Sequence, residues 1–184
     1  NRKLVNKKTG REIKGLISIH LFGYANNILE LNKVCKKFGI FHIEDASEAV
    51  GSYYNTKHLG TFSDLGCLSF NGNKTITTGG GGAILTNNKK INNFIRHIST
   101  TAKIKHSWIL SHDMIGYNYR MPNINASLGL AQISKLKIIL QAKKKIHKIY
   151  SEKFKTNKYF ELFKEKKKSK SNHWLNTLLI KKNN

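Results

Sequence analysis

Between residues 16 and 43 a short apolar run, an amphipathic stretch and a second short apolar run follow one another, and few folds accept that order. Leu16 to His20 (LISIH) reads as a buried strand. A turn at Phe22-Gly23 follows, and Asn26 or Asn27 is placed to cap a helix. Ile28, Leu31, Val34, Cys35 and Phe38 recur at spacings of three and four, so they share one helical face. Gly39 suits the residue just past a helix end, and Ile40 to Ile43 forms a second buried strand. Strand, helix and strand within so few residues make a βαβ unit, whose strands must run parallel. The predicted class is α/β, with a mostly parallel sheet and flanking helices.

Two further short strands are predicted at 66–70 (GCLSF) and 83–86 (AILT), separated by the loop NGNKTITTGGGG. Asn87 or Asn88 caps the next helix, whose apolar face carries Ile91, Phe94, Ile95 and Ile98. Residues 100–122 show no period and read as a long loop, a feature often kept for function. Pro122, the single proline, ends it. Residues 124–154 are helical in pattern and predict one long or broken helix bridging to another domain. KEKKKSKS (164–171) reads as a solvated linker, and Trp174 to Ile180 as a strand opening a second domain. The expected division is a large domain over 1–122, a connecting helix over 123–157 and the start of a smaller C-terminal domain over 158–184.

Charge narrows the partners. The 33 Lys and Arg against 10 Asp and Glu give +23, which suits a nucleic acid or an anionic membrane, or simply a solvated Lys- and Asn-rich surface. The cations are spread along the chain and Lys far outnumbers Arg, which favours the solvated surface. Neither a nucleic acid nor a membrane partner is expected, although an anionic substrate would profit from the field. No run of eighteen apolar residues exists, so no transmembrane helix is expected. The N-terminal residues lack the apolar stretch of a signal peptide. Cys35 and Cys67 form no CxxC and the eight His show no ligand spacing, so no metal site is expected. Both thiols read as core residues of a cytoplasmic protein.

The chemistry concentrates in two places. Glu44, Asp45 and Glu48 fall within five positions of a chain poor in acids, at the C-terminal end of an apolar strand. Open parallel sheets bind ligands at that end. Crowding three carboxylates is unfavourable unless a cation lies among them; a polar loop is the other reading. Lys74 follows GCLSF and precedes Gly79 to Gly82, with Ser69 five residues before it. A lysine in a Gly-rich stretch can meet a cofactor closely. Taken singly, four glycines are more often a turn and a lysine more often a surface charge.

Together these residues resemble a known family. EDASEAVGSYYNTKHLGTFSDLGCLSFNGNKTITTGGGGAILTN (44–87), GYNYRMPNINASLGLAQ (116–132) and SNHWLN (171–176) are similar, in order and spacing, to three blocks of the DegT/DnrJ/EryC1/StrS sugar aminotransferases. That resemblance implies the type I pyridoxal-phosphate fold, here an incomplete large-domain core plus the start of a small α/β C-terminal domain. It implies pyridoxal 5'-phosphate as cofactor, glutamate as amino donor and a nucleotide-linked keto-deoxy sugar as acceptor. SFNGNKTITTGGGG resembles the branch serving perosamine-, bacillosamine- or legionaminate-type pathways of surface glycans.

By the same resemblance, Lys74 matches the lysine that links covalently to the cofactor. Asp45 matches the carboxylate that pairs with its ring nitrogen, and Ser69 a hydroxyl on its phosphate. Asn118 matches an asparagine reaching the phosphate in a neighbouring subunit, which implies a homodimer. Glu48 stands where much of the family has Gln, beside the phenolic oxygen. Carboxylate and phenolate would repel, so Glu48 is expected to be protonated or turned toward another donor. A sister group that dehydrates sugars has His in place of this Lys, so Lys74 favours transamination.

Family chains are longer at both ends, and the part expected upstream carries the helix N-terminus that grips the cofactor phosphate. These residues are therefore expected to be a fragment, inactive alone. A silent assembly piece and a basic nucleic-acid binder are the competing functions. His20, Arg120 and Trp108 each admit two readings: near the site, on a diphosphate or over a substrate, against simple core, loop-pairing or packing roles.

Overall fold

The computed structural model describes residues 3–181. The predicted βαβ unit is present as β1 (Gly15–Ile19), α1 (Ile28–Phe38) and β2 (Phe41–Asp45), with the two strands parallel. Gly39 takes the left-handed conformation (φ 62°), and its N–H closes the helix on the Cys35 and Lys36 carbonyls. Next come β3 (Tyr53–Tyr54), β4 (Lys57–His58), β5 (Leu65–Ser69), β6 (Gly82–Leu85) and α2 (Lys89–Ile98). Asn88 caps α2: its side-chain oxygen accepts from the Lys90 and Ile91 amides. The main sheet has the order β1-β2-β5-β6, parallel except for β6, which returns antiparallel to β5. The C-terminal ends of β1, β2 and β5 therefore share one edge.

The C-terminal third has the expected broken helix and differs from the sequence expectation in two places. The long helical pattern is two helices, α3 (Asn123–Ser134) and α4 (Leu136–Phe154), broken at Lys135. The lysine-rich linker supplies β8 (Ser169–Lys170), which pairs with β3. Of the strand expected over 174–180 only β9 (Leu178–Ile180) is extended pairing, against β7 (Phe160–Leu162). The residues before it, 172–174, spend their hydrogen bonds on distant loops instead. The 100–122 stretch is held by isolated bridges, Thr100 to Asn118 and Lys103 to His112.

Strand register sorts the sheet into two faces, because successive side chains point to opposite sides. Ser18, His20, His42 and Glu44 lie on the buried face. Ile17 pairs with Ile43, and Ile19, Asp45, Cys67 and Ile84 line up across the other face. That face is open: Ile17 is 65% exposed, Ile19 53% and Ile84 51%. The core of Ala25, Ala46, Ala49 and Leu59, with Tyr54, Phe62 and Leu68 packed on it, is small. The accessible surface is 13722 Å². A compact monomer of 21.0 kDa exposes about 9,000 Å². Exposed large hydrophobics, Ile17, Ile19 and Ile84 among them, contribute to the excess. Among the described residues, no helix is long and apolar enough to cross a membrane.

Candidate functional site

The acidic cluster does not stay together. Glu44 points to the buried face, where its carboxylate accepts from the amides of Gly60 (2.8 Å), Phe62 (2.6 Å) and Ser63 (2.9 Å) and from His20 Nε2 (2.9 Å). Burial pushes its pKa up, but the His20 and backbone hydrogen bonds outweigh it and hold the group below its ordinary value. Asp45, one residue on, faces the open side. Its Oδ1 accepts from the Ser47 amide (3.1 Å) and hydroxyl (2.5 Å), and its Oδ2 takes no hydrogen bond among the described residues. Alternation along the strand separates the two acids, so the like-charge crowding never arises.

Glu48 lies past the strand. Its Oε2 accepts from the Phe22 amide at 2.6 Å, and its Oε1 is 3.7 Å from Lys74 Nζ. The expectation that Glu48 is turned toward another donor describes this geometry. Lys74 is delivered by the loop after β5. Phe70 closes that loop, donating to the Gly81 carbonyl (2.9 Å) and accepting from the Thr78 amide (2.9 Å). The Lys74 amide bonds to Asn71 O (3.0 Å), and its side chain is only 14% exposed. The Nζ also sits over the Trp174 ring, 4.4 Å from the centroid.

Asn172 ties these loops together. It is buried, and its Nδ2 donates to Glu48 O (2.7 Å), Val50 O (2.9 Å) and Thr75 Oγ1 (3.1 Å). Its own amide donates to Ser52 Oγ (2.9 Å), whose hydroxyl donates to Gly23 O (2.8 Å). Its Oδ1 accepts from the Trp174 amide (2.9 Å), and Trp174 Nε1 donates to Asn73 O (2.7 Å). Gly23, at φ 82°, makes this possible: a Cβ there would overlap the Asn172 side-chain oxygen.

The DegT/DnrJ/EryC1/StrS aminotransferase family matches residues 2–184. The chain belongs to this family. It is 36% identical over 179 residues to the GDP-perosamine synthase of Escherichia coli O157:H7, covering 96% of this chain and 48% of that one. It is 34% identical over 175 residues to the UDP-4-amino-4,6-dideoxy-N-acetyl-beta-L-altrosamine transaminase of Campylobacter jejuni, covering 94% and 46%. Among solved structures, Helicobacter pylori PseC, an aminotransferase involved in pseudaminic acid biosynthesis, superposes with a TM-score of 0.86 at 29% identity, covering 97% of this chain and 47% of that one. An E. coli GDP-4-keto-6-deoxy-D-mannose-3-dehydratase with bound hydrated PLP has a TM-score of 0.83 at 26% identity, covering 93% and 48%. The chain thus spans about half the length of these family members.

Within this aminotransferase-family chain, Ser69 lies on the same sheet face as Asp45, two residues beyond Cys67, and its Oγ accepts from the Asn71 amide (3.3 Å). Asn118 is exposed, and no hydrogen bond or ion pair joins it to Lys74, Asp45, Glu48 or Ser69 among the described residues. His20 belongs to the core, fully buried on Glu44. Arg120 is exposed, and Trp108, 92% exposed, covers nothing in this chain. Asn172 and Trp174 escaped the sequence reading. A tryptophan and an asparagine within six residues of polar chain carried no period to mark them.

Proposed function

We propose that this chain is the lysine-bearing half of a pyridoxal-phosphate sugar aminotransferase, which moves an amino group from glutamate to the keto group of a nucleotide-linked keto-deoxy sugar for surface glycan synthesis. The observation that carries it is the largely buried side chain of Lys74, its amine 3.7 Å from Glu48, which follows the strand that ends on Asp45. Both dehydratases and aminotransferases resemble this chain. A lysine at 74 supplies the amine that transamination needs.

The residues present suit the cofactor. Among the described residues nothing donates to Asp45 Oδ2, as suits a partner for a protonated ring nitrogen. Ser69 uses its oxygen as an acceptor from Asn71, which leaves its hydroxyl proton for a phosphate oxygen. Glu48 is drawn away from a phenolic oxygen by Phe22 and Lys74. Asn118, exposed on the 100–122 stretch, is assigned to the cofactor phosphate of a second subunit, in a homodimer. Bound there, pyridoxal phosphate supplies the electron sink. Lys74 would hold it, and its free amine would be the group that carries the proton. Residues 1–122 would belong to the large domain, 123–157 to the connector and 158–184 to the small domain.

Glutamate-dependent amination of a nucleotide 4-keto-6-deoxy sugar by the intact protein tests this, alongside the absorbance band of the lysine-linked cofactor. Both should vanish in Lys74→Ala. A band that survives this substitution refutes the role of Lys74. The uncovered surface supports a second statement: the 184 residues by themselves do not turn over.

A further inference from the structure

The Lys74 ammonium has two neighbours that favour a cation, a carboxylate oxygen at 3.7 Å and the face of an indole at 4.4 Å. We propose that Glu48 and Trp174 form the seat of the free Lys74 amine, the position its side chain takes whenever it is not joined to the cofactor, and that Asn172 holds this seat in register. The proposal rests on Lys74 being the cofactor-linking lysine.

Three observations support a built seat. First, both partners recognise an ammonium, by charge and by the ring quadrupole. A lysine joined to a cofactor no longer presents that group. Second, the ring is fixed in its plane: Trp174 Nε1 is spent on the Asn73 carbonyl, the residue just before Lys74. One amide, Asn172 Nδ2, holds the backbone of Glu48 and the side chain of Thr75, the residue just after Lys74. Glu48, Lys74 and Trp174 come from segments far apart in the chain, and Asn172 fixes their spacing. Third, the backbone is strained on both sides of the seat. Phe22, which holds Glu48, has φ 56°, and His173, between Asn172 and Trp174, has φ 49°. Non-glycine residues keep such values only where surroundings enforce them.

Trp174 is thus a positioning residue acting through Lys74. It has no counterpart role in a lysine that simply reaches solvent. With the seat intact, freeing Lys74 from the cofactor delivers the amine to a defined place beside Glu48. Without it, the freed side chain is unrestrained and the balance shifts back toward the linked form.

The test uses the intact protein, first without cofactor. Acetylation of Lys74 at fixed pH is followed by mass spectrometry, with exposed Lys103 as internal reference. Trp174→Leu should raise the Lys74 rate about tenfold relative to Lys103. Trp174→Phe keeps a ring but loses the Nε1 bond to Asn73, so its rate should fall between the native and Leu values. Glu48→Gln and Asn172→Ala should also speed labelling. The second readout is the glutamate concentration that releases half of the bound cofactor from Lys74. Trp174→Leu should raise it about tenfold and Trp174→Phe by less. An unchanged labelling rate in Trp174→Leu overturns the seat. So does an unchanged labelling rate in Glu48→Gln, since the carboxylate would then be no partner of the amine. If Trp174→Leu does not fold, Glu48→Gln and Trp174→Phe decide the matter. A protein that takes up no pyridoxal phosphate defeats the functional reading but leaves the labelling result to judge the seat.

Discussion

His20 Nε2 donates to Glu44 Oε2 across 2.9 Å, with both side chains fully buried between β1 and β2. The Asn26 amide approaches His20 Nδ1 (3.3 Å), which leaves Nε2 as the donor. With three backbone amides also on Glu44, this carboxylate organises residues 60–63 beneath the sheet edge. Glu44→Gln places an NH2 group against N–H donors. It should destabilise the fold by about 3 kcal/mol, measured by urea unfolding of the intact protein. A loss below about 1 kcal/mol would mean that the loop is held by other contacts.

Acid should weaken the fold in two stages. Burial, with help from His147 and Lys144, pushes His173 down to about 4. Burial also lowers His42 and His58, against opposing pulls from Glu44 and the Leu59 carbonyl respectively. The unfolded chain protonates these groups near their ordinary 6.5, so it binds more protons than the folded one. Their stabilisation is whole above pH 6.5, and the His173 share is lost by about 4. Glu44, held below its ordinary 4.5, adds a loss as pH falls through its folded value. Thermal melts should therefore show Tm falling from pH 6.5 downward, with a shallower slope in His173→Asn. A Tm unchanged between pH 7 and 5 would contradict this.

Gly23→Ala tests the packing of the C-terminal segment on the site. The new Cβ meets Asn172 and the backbone must hold φ 82°. The expected cost is about 3 kcal/mol. Trp174 fluorescence should change with it, because Asn172 Oδ1 holds the Trp174 backbone amide. An alanine variant of native stability and native emission would show that Asn172 can move aside freely.

The parallel strands, the helix between them and the Asn88 cap were legible because each rests on local periodicity or on one side chain near its own backbone. Asp45 stood out by the scarcity of acids and its position at a strand end, Lys74 by the glycines that follow it and by the family resemblance. Which face each acid took was written in the alternation of β2, yet three acids within five positions obscured it. The Asn172 network was illegible because its partners lie 97 to 124 residues away. Only Gly23 hinted at it, and a glycine in a turn has a sufficient local reason. The lysine-rich stretch looked like a linker because charge says nothing about pairing, and β8 exists only through β3.

Produced alone, the 184 residues should associate or bind apolar dyes. The surface of 13722 Å² exceeds the compact-monomer figure of about 9,000 Å². Ile17, Ile19 and Ile84 form an uncovered apolar face above Asp45. Ile17→Lys with Ile84→Lys should raise solubility several-fold with no change in circular dichroism. Light scattering that shows a monodisperse monomer of the unsubstituted 184 residues would contradict the expectation.

Borohydride reduction of the intact protein after incubation with pyridoxal phosphate, followed by peptide mapping, bears most directly on the function. With lysines throughout this chain, chance labelling would scatter over many of them. A single pyridoxyl group on Lys74, and its loss in a parallel sample given glutamate before the borohydride, is the predicted result. Label spread over surface lysines, or an unmodified Lys74, would contradict it.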